Sequence, residues 1–249
     1  MENGLNTGIT GFDKMVGKIH PGQLIVIAGR PCMGKTTLLL QILAKNCLNK
    51  KCAYLSFIDN AADCMNNCTY ILGDLNRNEH ETEVWDSVSE AIGGKLNKTL
   101  HLLTLDADFV FLCIELTKIK ENKGLDYIFI DGFQEFATDI SAELRVRWLK
   151  DLAQFLGVTI FITAKTKLSR DYDRIDCTNI NYHLYTAADK VLGLYRKDFF
   201  MTISDIGRIK KGESFLSVMK NTLGEQGAVT AYFNYARCSF RETFLPENV

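Results

Sequence analysis

Eight consecutive residues, Gly29, Arg30, Pro31, Cys32, Met33, Gly34, Lys35 and Thr36, fit the spacing G-x-x-x-x-G-K-[ST] of a phosphate-binding loop. Each end of the motif has a task. A loop wrapped round a polyphosphate must bring backbone N–H groups close to the oxygens, and Gly29 and Gly34 allow this because they lack Cβ. Lys35 then reaches the outer phosphates, and the Thr36 hydroxyl can hold Mg²⁺. Thr37 continues into a helix whose positive end faces the same anion. The magnesium water shell needs a carboxylate on its other side. Asp131 ends the apolar run Leu125–Ile130, and ligands of α/β sheets sit outside the carboxyl ends of the strands. The plainer alternative for Asp131 is an N-cap on whatever follows.

The elements that must position these groups are legible in the apolar pattern. Leu24–Ala28 reads as a buried parallel strand after the Pro21-Gly22 turn, and Thr37 onward as a helix. Cys52–Ile58 is a second strand, and Asp59-Asn60 can cap a helix over Ala61–Leu75. A further helix covers Glu81–Ile92 and is expected to stop at Gly93-Gly94. Leu100–Leu105 reads as a strand, Asp108–Lys120 as a helix and Leu125–Asp131 as a strand. Ser141 opens a helix to Leu156 whose inner face is read as Leu144, Trp148, Leu152 and Phe155, and Gly157 stops it. Val158–Thr163 and Ala188–Tyr195 are strands on either side of a polar, irregular stretch, Lys165–Tyr185, that carries Lys165, Lys167, Arg170 and Arg174. Phe215–Lys220 and Val229–Tyr235 form a hairpin through Gly224–Gly227. The expected fold is α/β: one domain over residues 1–249, a mostly parallel twisted sheet flanked by helices, with a C-terminal β-hairpin.

Composition bounds the partners. The chain has 249 residues, 47% hydrophobic and 24% charged, with a net charge of −1. That argues against a protein that coats nucleic acid through bulk charge, while leaving room for a local basic face. No apolar run approaches a membrane span, and the first residues carry no leader pattern. Eight cysteines lie largely within apolar segments, as expected of reduced thiols in the cytoplasm. Cys64 and Cys68 share a helix face but have no second pair at zinc-site spacing, so they read as core.

With these residues in place, the chain resembles a known family. The loop Gly29–Thr36 with Arg30-Pro31 inside it resembles that of DnaB-type replicative helicases. The approach to it (Thr7-Gly8-Ile9-Thr10-Gly11-Phe12, then Pro21-Gly22-Gln23) is also similar. Ile128–Asp131 followed by Gln134 looks like the family's metal-binding strand. Ile140–Val158, Leu168-Ser169-Arg170 and Ala188–Arg196 continue the likeness in order. The resemblance runs from about residue 5 to about residue 240 and implies the RecA-like motor domain alone, without the family's N-terminal domain and linker helix. It implies ATP with Mg²⁺ as cofactors, Gln134 as a sensor of the γ-phosphate, and Lys220 reaching a neighbour's nucleotide in a ring. Single-stranded DNA would track Lys167, Arg170 and Arg174. Without the linker helix, a monomer or weak oligomer is expected, or association with a replicative helicase.

Two departures concern hydrolysis. The family carries a glutamate that polarises the attacking water where this chain has Ile58, and Asp59 comes one residue later. Where the family places an arginine two residues past the lysine matched by Lys220, this chain has Thr222. The loss of an in-trans arginine costs about 10³–10⁵ in rate by analogy with other arginine fingers, and the loss of a general base about 10²–10⁴. The main reading is therefore an ATP-binding helicase-type motor domain with slow turnover. Asp59 is the substitute base to test and Glu135 the next candidate. The competing reading is a hydrolysis-poor nucleotide-binding accessory protein. A RecA-like recombination or clock-type ATPase fits less well, because of Arg30-Pro31 and the Gln134 context.

Overall fold

The computed structural model describes residues 4–58, 60–80, 82–103, 109–135, 140–166, 177–200 and 209–243. Asp59, Lys167, Arg170 and Arg174 lie outside them. The described strands are β1 (Leu24–Gly29), β2 (Cys52–Ser56), β3 (Leu100–Leu103), β4 (Tyr127–Asp131), β5 (Thr159–Lys165), β6 (Lys190–Arg196), β7 (Glu213–Asn221), β8 (Gly227–Asn234) and β9 (Ser239–Arg241). They form one sheet in the order β3-β2-β4-β5-β1-β6-β7-β8-β9. The first six in that order are parallel, and β7 to β9 extend the sheet antiparallel. The helices are α1 (Thr10–Val16), α2 (Lys35–Asn46), α3 (Ala61–Gly73), α4 (Glu83–Leu96), α5 (Phe109–Lys123), α6 (Ala142–Leu156) and α7 (Tyr182–Ala187).

The continuous apolar run of β1 is explained by its two covered faces. All six of its residues are buried. Ile25 and Ile27 join the core that includes Leu39, Leu43 and Phe161, on the α2 side. Leu24, Val26 and Ala28 join the core built with Leu149, Ala153 and Leu184, on the α6 and α7 side. Alternation along the strand sends neighbours to opposite cores. Cys64 and Cys68 of α3 are fully buried in the first core.

Several expected elements shift. The buried stripe of α6 is Val146, Leu149, Leu152, Ala153 and Leu156, while Leu144 and Phe155 are exposed and Trp148 stacks on Phe109 of α5 at 4.9 Å. Both stripes have helical spacing. The larger side chains sit on the flank that meets α5, so periodicity alone could not choose between them. α4 does not stop at Gly93-Gly94 but runs to Leu96, which is fully buried. Two helical glycines cost about 1 kcal/mol each, of the same order as the gain from burying one leucine. β2 ends at Ser56, two residues short of the expected end. α1, α7 and β9 are short and had no strong pattern.

The topology brings the loops of interest to one edge. Gly29 is in register with Lys165 on one side and Leu194 on the other, and Ser56 with Asp131. The carboxyl ends of β1, β2, β4 and β5 therefore open at one level, where a ligand of a parallel sheet belongs.

Candidate nucleotide site

The loop after β1 has the backbone shape expected of a loop that holds an anion. Gly34 takes a left-handed conformation (φ 94°), and a Cβ there would lie 2.9 Å from the ring of Phe240 on β9. At Gly29 a Cβ would lie 3.1 Å from the Leu194 carbonyl. Gly34 is thus favoured by both its backbone conformation and the ring beside it, and Gly29 by a tight approach to the carbonyl. α2 then starts with no side-chain cap and no acidic residue in its first turn. Its free N–H groups and positive dipole end remain for a phosphate. Pro31 and Cys32 are exposed at the loop tip, whereas Arg30 and Met33 are buried beneath it. Met33 is anchored by the Arg196 amide, which donates to its sulfur at 3.3 Å.

Lys35 folds back over this loop and donates to the Arg30 carbonyl at 2.8 Å. Burial pushes its ammonium down to about 8; the Asp131 carboxylate opposes this and the Lys165 charge adds to it. A cation that must be charged to bind phosphate, and that titrates near 8 when free, makes affinity pH-dependent. ATP affinity is expected to be flat below pH 8 and to fall by up to about tenfold per unit above it. Calorimetry at pH 7, 8 and 9 checks this, and an unchanged affinity at pH 9 would contradict it.

Asp131 is fully buried at the end of β4. Its Oδ2 accepts from the Thr36 hydroxyl at 2.8 Å, and its Oδ1 from Thr163 of β5 at 2.5 Å. Thr163 in turn accepts from the Gly132 amide at 2.8 Å. Thr36 and Asp131, 95 residues apart, are therefore brought together as the motif requires, which is more than an N-cap would need. Thr163 was not singled out in the sequence. Its signal was a hydroxyl near the end of an apolar strand. Oxygen donors alone converge here, a set that suits Mg²⁺ better than a softer metal.

Gln134 lies in the turn after Asp131 and donates to the Lys165 carbonyl at 3.2 Å. Lys165 pairs with Glu135 at 2.7 Å. Ile58, just past the end of β2, is 54% exposed. Its side chain covers Gly132, where a Cβ would lie 3.0 Å from it. An aliphatic group thus occupies the mouth of the site beside Asp131.

Lys220 and Thr222 sit elsewhere. Lys220 pairs with Val191 of β6, three residues before Leu194, so about 10 Å from the level of Gly29 along the strand. Its ammonium donates to the Tyr185 and Thr186 carbonyls, each at 2.8 Å, near the end of α7. The Thr222 hydroxyl donates to the Asp189 carbonyl at 2.8 Å. Neither approaches the loop of its own chain.

A glycine loop between a buried strand and an uncapped helix, with a carboxylate on a neighbouring strand facing the loop threonine, defines a RecA-like P-loop domain. The fold agrees with solved structures. A solved ATPase domain superimposes with a TM-score of 0.82 at 19% identity, covering 96% of this chain and 91% of that one. A DnaB-like replicative helicase, described with its interactions with primase, gives 0.80 at 19% identity, covering 95% of this chain and 61% of that one. The family described as the DnaB-like helicase C-terminal domain matches residues 4–242, and this chain belongs to it. The probable plasmid replicative DNA helicase of Chlamydia psittaci is 28% identical over 255 residues, covering 93% of this chain and 54% of the relative. The replicative DNA helicase DnaB of Buchnera aphidicola subsp. Schizaphis graminum is 26% identical over 257 residues with the same coverage. The chain spans about half the length of these curated relatives. Among the described residues, no helix is long and apolar enough to cross a membrane.

Proposed function

We propose that this chain is an ATP-binding motor domain of the replicative-helicase type, working as one domain in the cytoplasm on single-stranded DNA. The observation that carries the reading is the Thr36–Asp131 hydrogen bond at the mouth of the uncapped α2. It supports ATP held by Gly29–Thr37, with Thr36 and Asp131 holding Mg²⁺. When bound, that ion would neutralise charge between the outer phosphates. Lys35 would move from the Arg30 carbonyl to the phosphates, and Gln134 would report the γ-phosphate to β5 through the Lys165 carbonyl. Lys220 is proposed to serve a neighbouring copy once released from the Tyr185 and Thr186 carbonyls. Lys167, Arg170 and Arg174 are proposed to contact DNA phosphates.

Turnover by the chain alone is expected to be slow, because Ile58 cannot accept a proton and Thr222 cannot stabilise charge on a neighbour's phosphoryl group. The test combines a nucleotide titration by calorimetry with ATP turnover, each with and without single-stranded DNA. Magnesium-dependent binding with slow turnover supports the reading. Absence of nucleotide binding would sink it.

A further inference from the structure

On the basis of that ATP reading, we infer that Lys165 and Glu135 form a catalytic pair: Lys165 contacts the γ-phosphate and Glu135 takes the proton of the attacking water, within one chain. Four observations place the pair. Lys165 is the last residue of β5, in register with Gly29, where the phosphate loop begins. It lies two residues beyond Thr163, so its side chain leaves the same face of the sheet as the hydroxyl that holds Asp131. The loop that begins beside it at Gly29 ends at Lys35, the first residue of α2. Glu135 sits one residue past the Gln134 whose side chain bonds the Lys165 backbone, and its carboxylate holds the Lys165 ammonium at 2.7 Å.

Both side chains are accessible, 46% and 47% exposed, so neither is locked into the core. An exposed ion pair of this kind contributes about 0–1 kcal/mol. A γ-phosphate carries more charge than a carboxylate and would compete for the ammonium at little cost. Once Lys165 turns to the phosphate, Glu135 loses its counter-charge and is left as an exposed carboxylate on the turn after Asp131. The step balances with water alone. The water oxygen forms a bond to the γ-phosphorus, its proton passes to a Glu135 oxygen, and the bond to the bridging oxygen breaks with its electron pair on ADP. ADP and inorganic phosphate leave, and Glu135 returns its proton to solvent. The positive charge that Thr222 cannot deliver to a neighbour would thus come from β5 of the same chain.

The test uses Lys165→Met, Lys165→Arg and Glu135→Gln in the full chain, with calorimetry for ADP and ATP and single-turnover hydrolysis. ADP affinity should stay within about threefold of wild type in all three. Lys165→Met should lower ATP affinity by about tenfold and hydrolysis by at least as much, and Lys165→Arg should restore most of both, because a γ-phosphate contact is a charge-assisted bond. Glu135→Gln should move the two readouts in opposite directions, tightening ATP severalfold by freeing Lys165 while slowing hydrolysis about tenfold or more. A merely structural pair would not separate them. Unchanged ATP affinity and hydrolysis in Lys165→Met would overturn the inference. So would wild-type hydrolysis at background while ATP is bound. Failure of wild type to bind ADP would instead refute the ATP reading beneath it.

Discussion

Ile58→Glu is expected to raise ATP turnover by up to about 10²-fold, the lower range of what a positioned base contributes, with the full gain seen in a chain that also carries Glu135→Gln. Ile58 already lies over Gly132, next to the residue that would hold the magnesium, and it is half exposed. A glutamate can therefore be accommodated with little loss of packing, and its carboxylate enters the mouth of the site. The gain should occur in a monomer, because the action is within one chain. Thr222→Arg should help only where copies meet, since residue 222 is tied to the Asp189 carbonyl at the far end of β6. Asp59→Ala provides the control. If it abolishes a substantial wild-type activity and Ile58→Glu adds nothing, Asp59 is the base and the assignment of position 58 is wrong.

Lys35→Ala should weaken ATP binding by about tenfold or more, matching the loss of charge-assisted hydrogen bonds worth about 1.5–3 kcal/mol. The free protein should not suffer. Its only described bond from this ammonium goes to the Arg30 carbonyl, and burial already disfavours the charge. Thermal unfolding without nucleotide should therefore be unchanged or slightly higher, while the stabilisation that ATP confers should fall by about 1.4 kcal/mol for each tenfold loss of affinity. A variant that unfolds earlier without nucleotide would show that Lys35 holds the loop together rather than the ligand.

The phosphate loop was readable because its function depends on neighbours in the chain. Gly29, Gly34, Lys35 and Thr36 act through local backbone shape and a helix end, and such features survive in spacing. Asp131 was readable for a related reason, since an apolar strand that ends in a carboxylate can point it only at the sheet's open edge. The order of strands and helices followed from the same periodicities, with errors where a pattern was degenerate. The two stripes of α6 illustrate this: helical spacing fits both, and contact with α5 decided which was buried.

Spacing could not show contacts between distant segments. Thr163 under Asp131, Ile58 over Gly132, and Phe240 against Gly34 join residues 32, 74 and 206 positions apart. Each depends on which strands lie side by side, and only the sheet order sets that. Lys165 is the clearest case. In the sequence it was one of four basic residues in a polar stretch. In the fold it is the end of a strand beside the phosphate loop, paired with the acid that follows Gln134. The sequence by itself determined the shape of the loop and the groups it carries, because those atoms are held by consecutive residues. Only the tertiary structure decided which other charges stand around it, because a parallel sheet brings together strand ends that the chain keeps far apart.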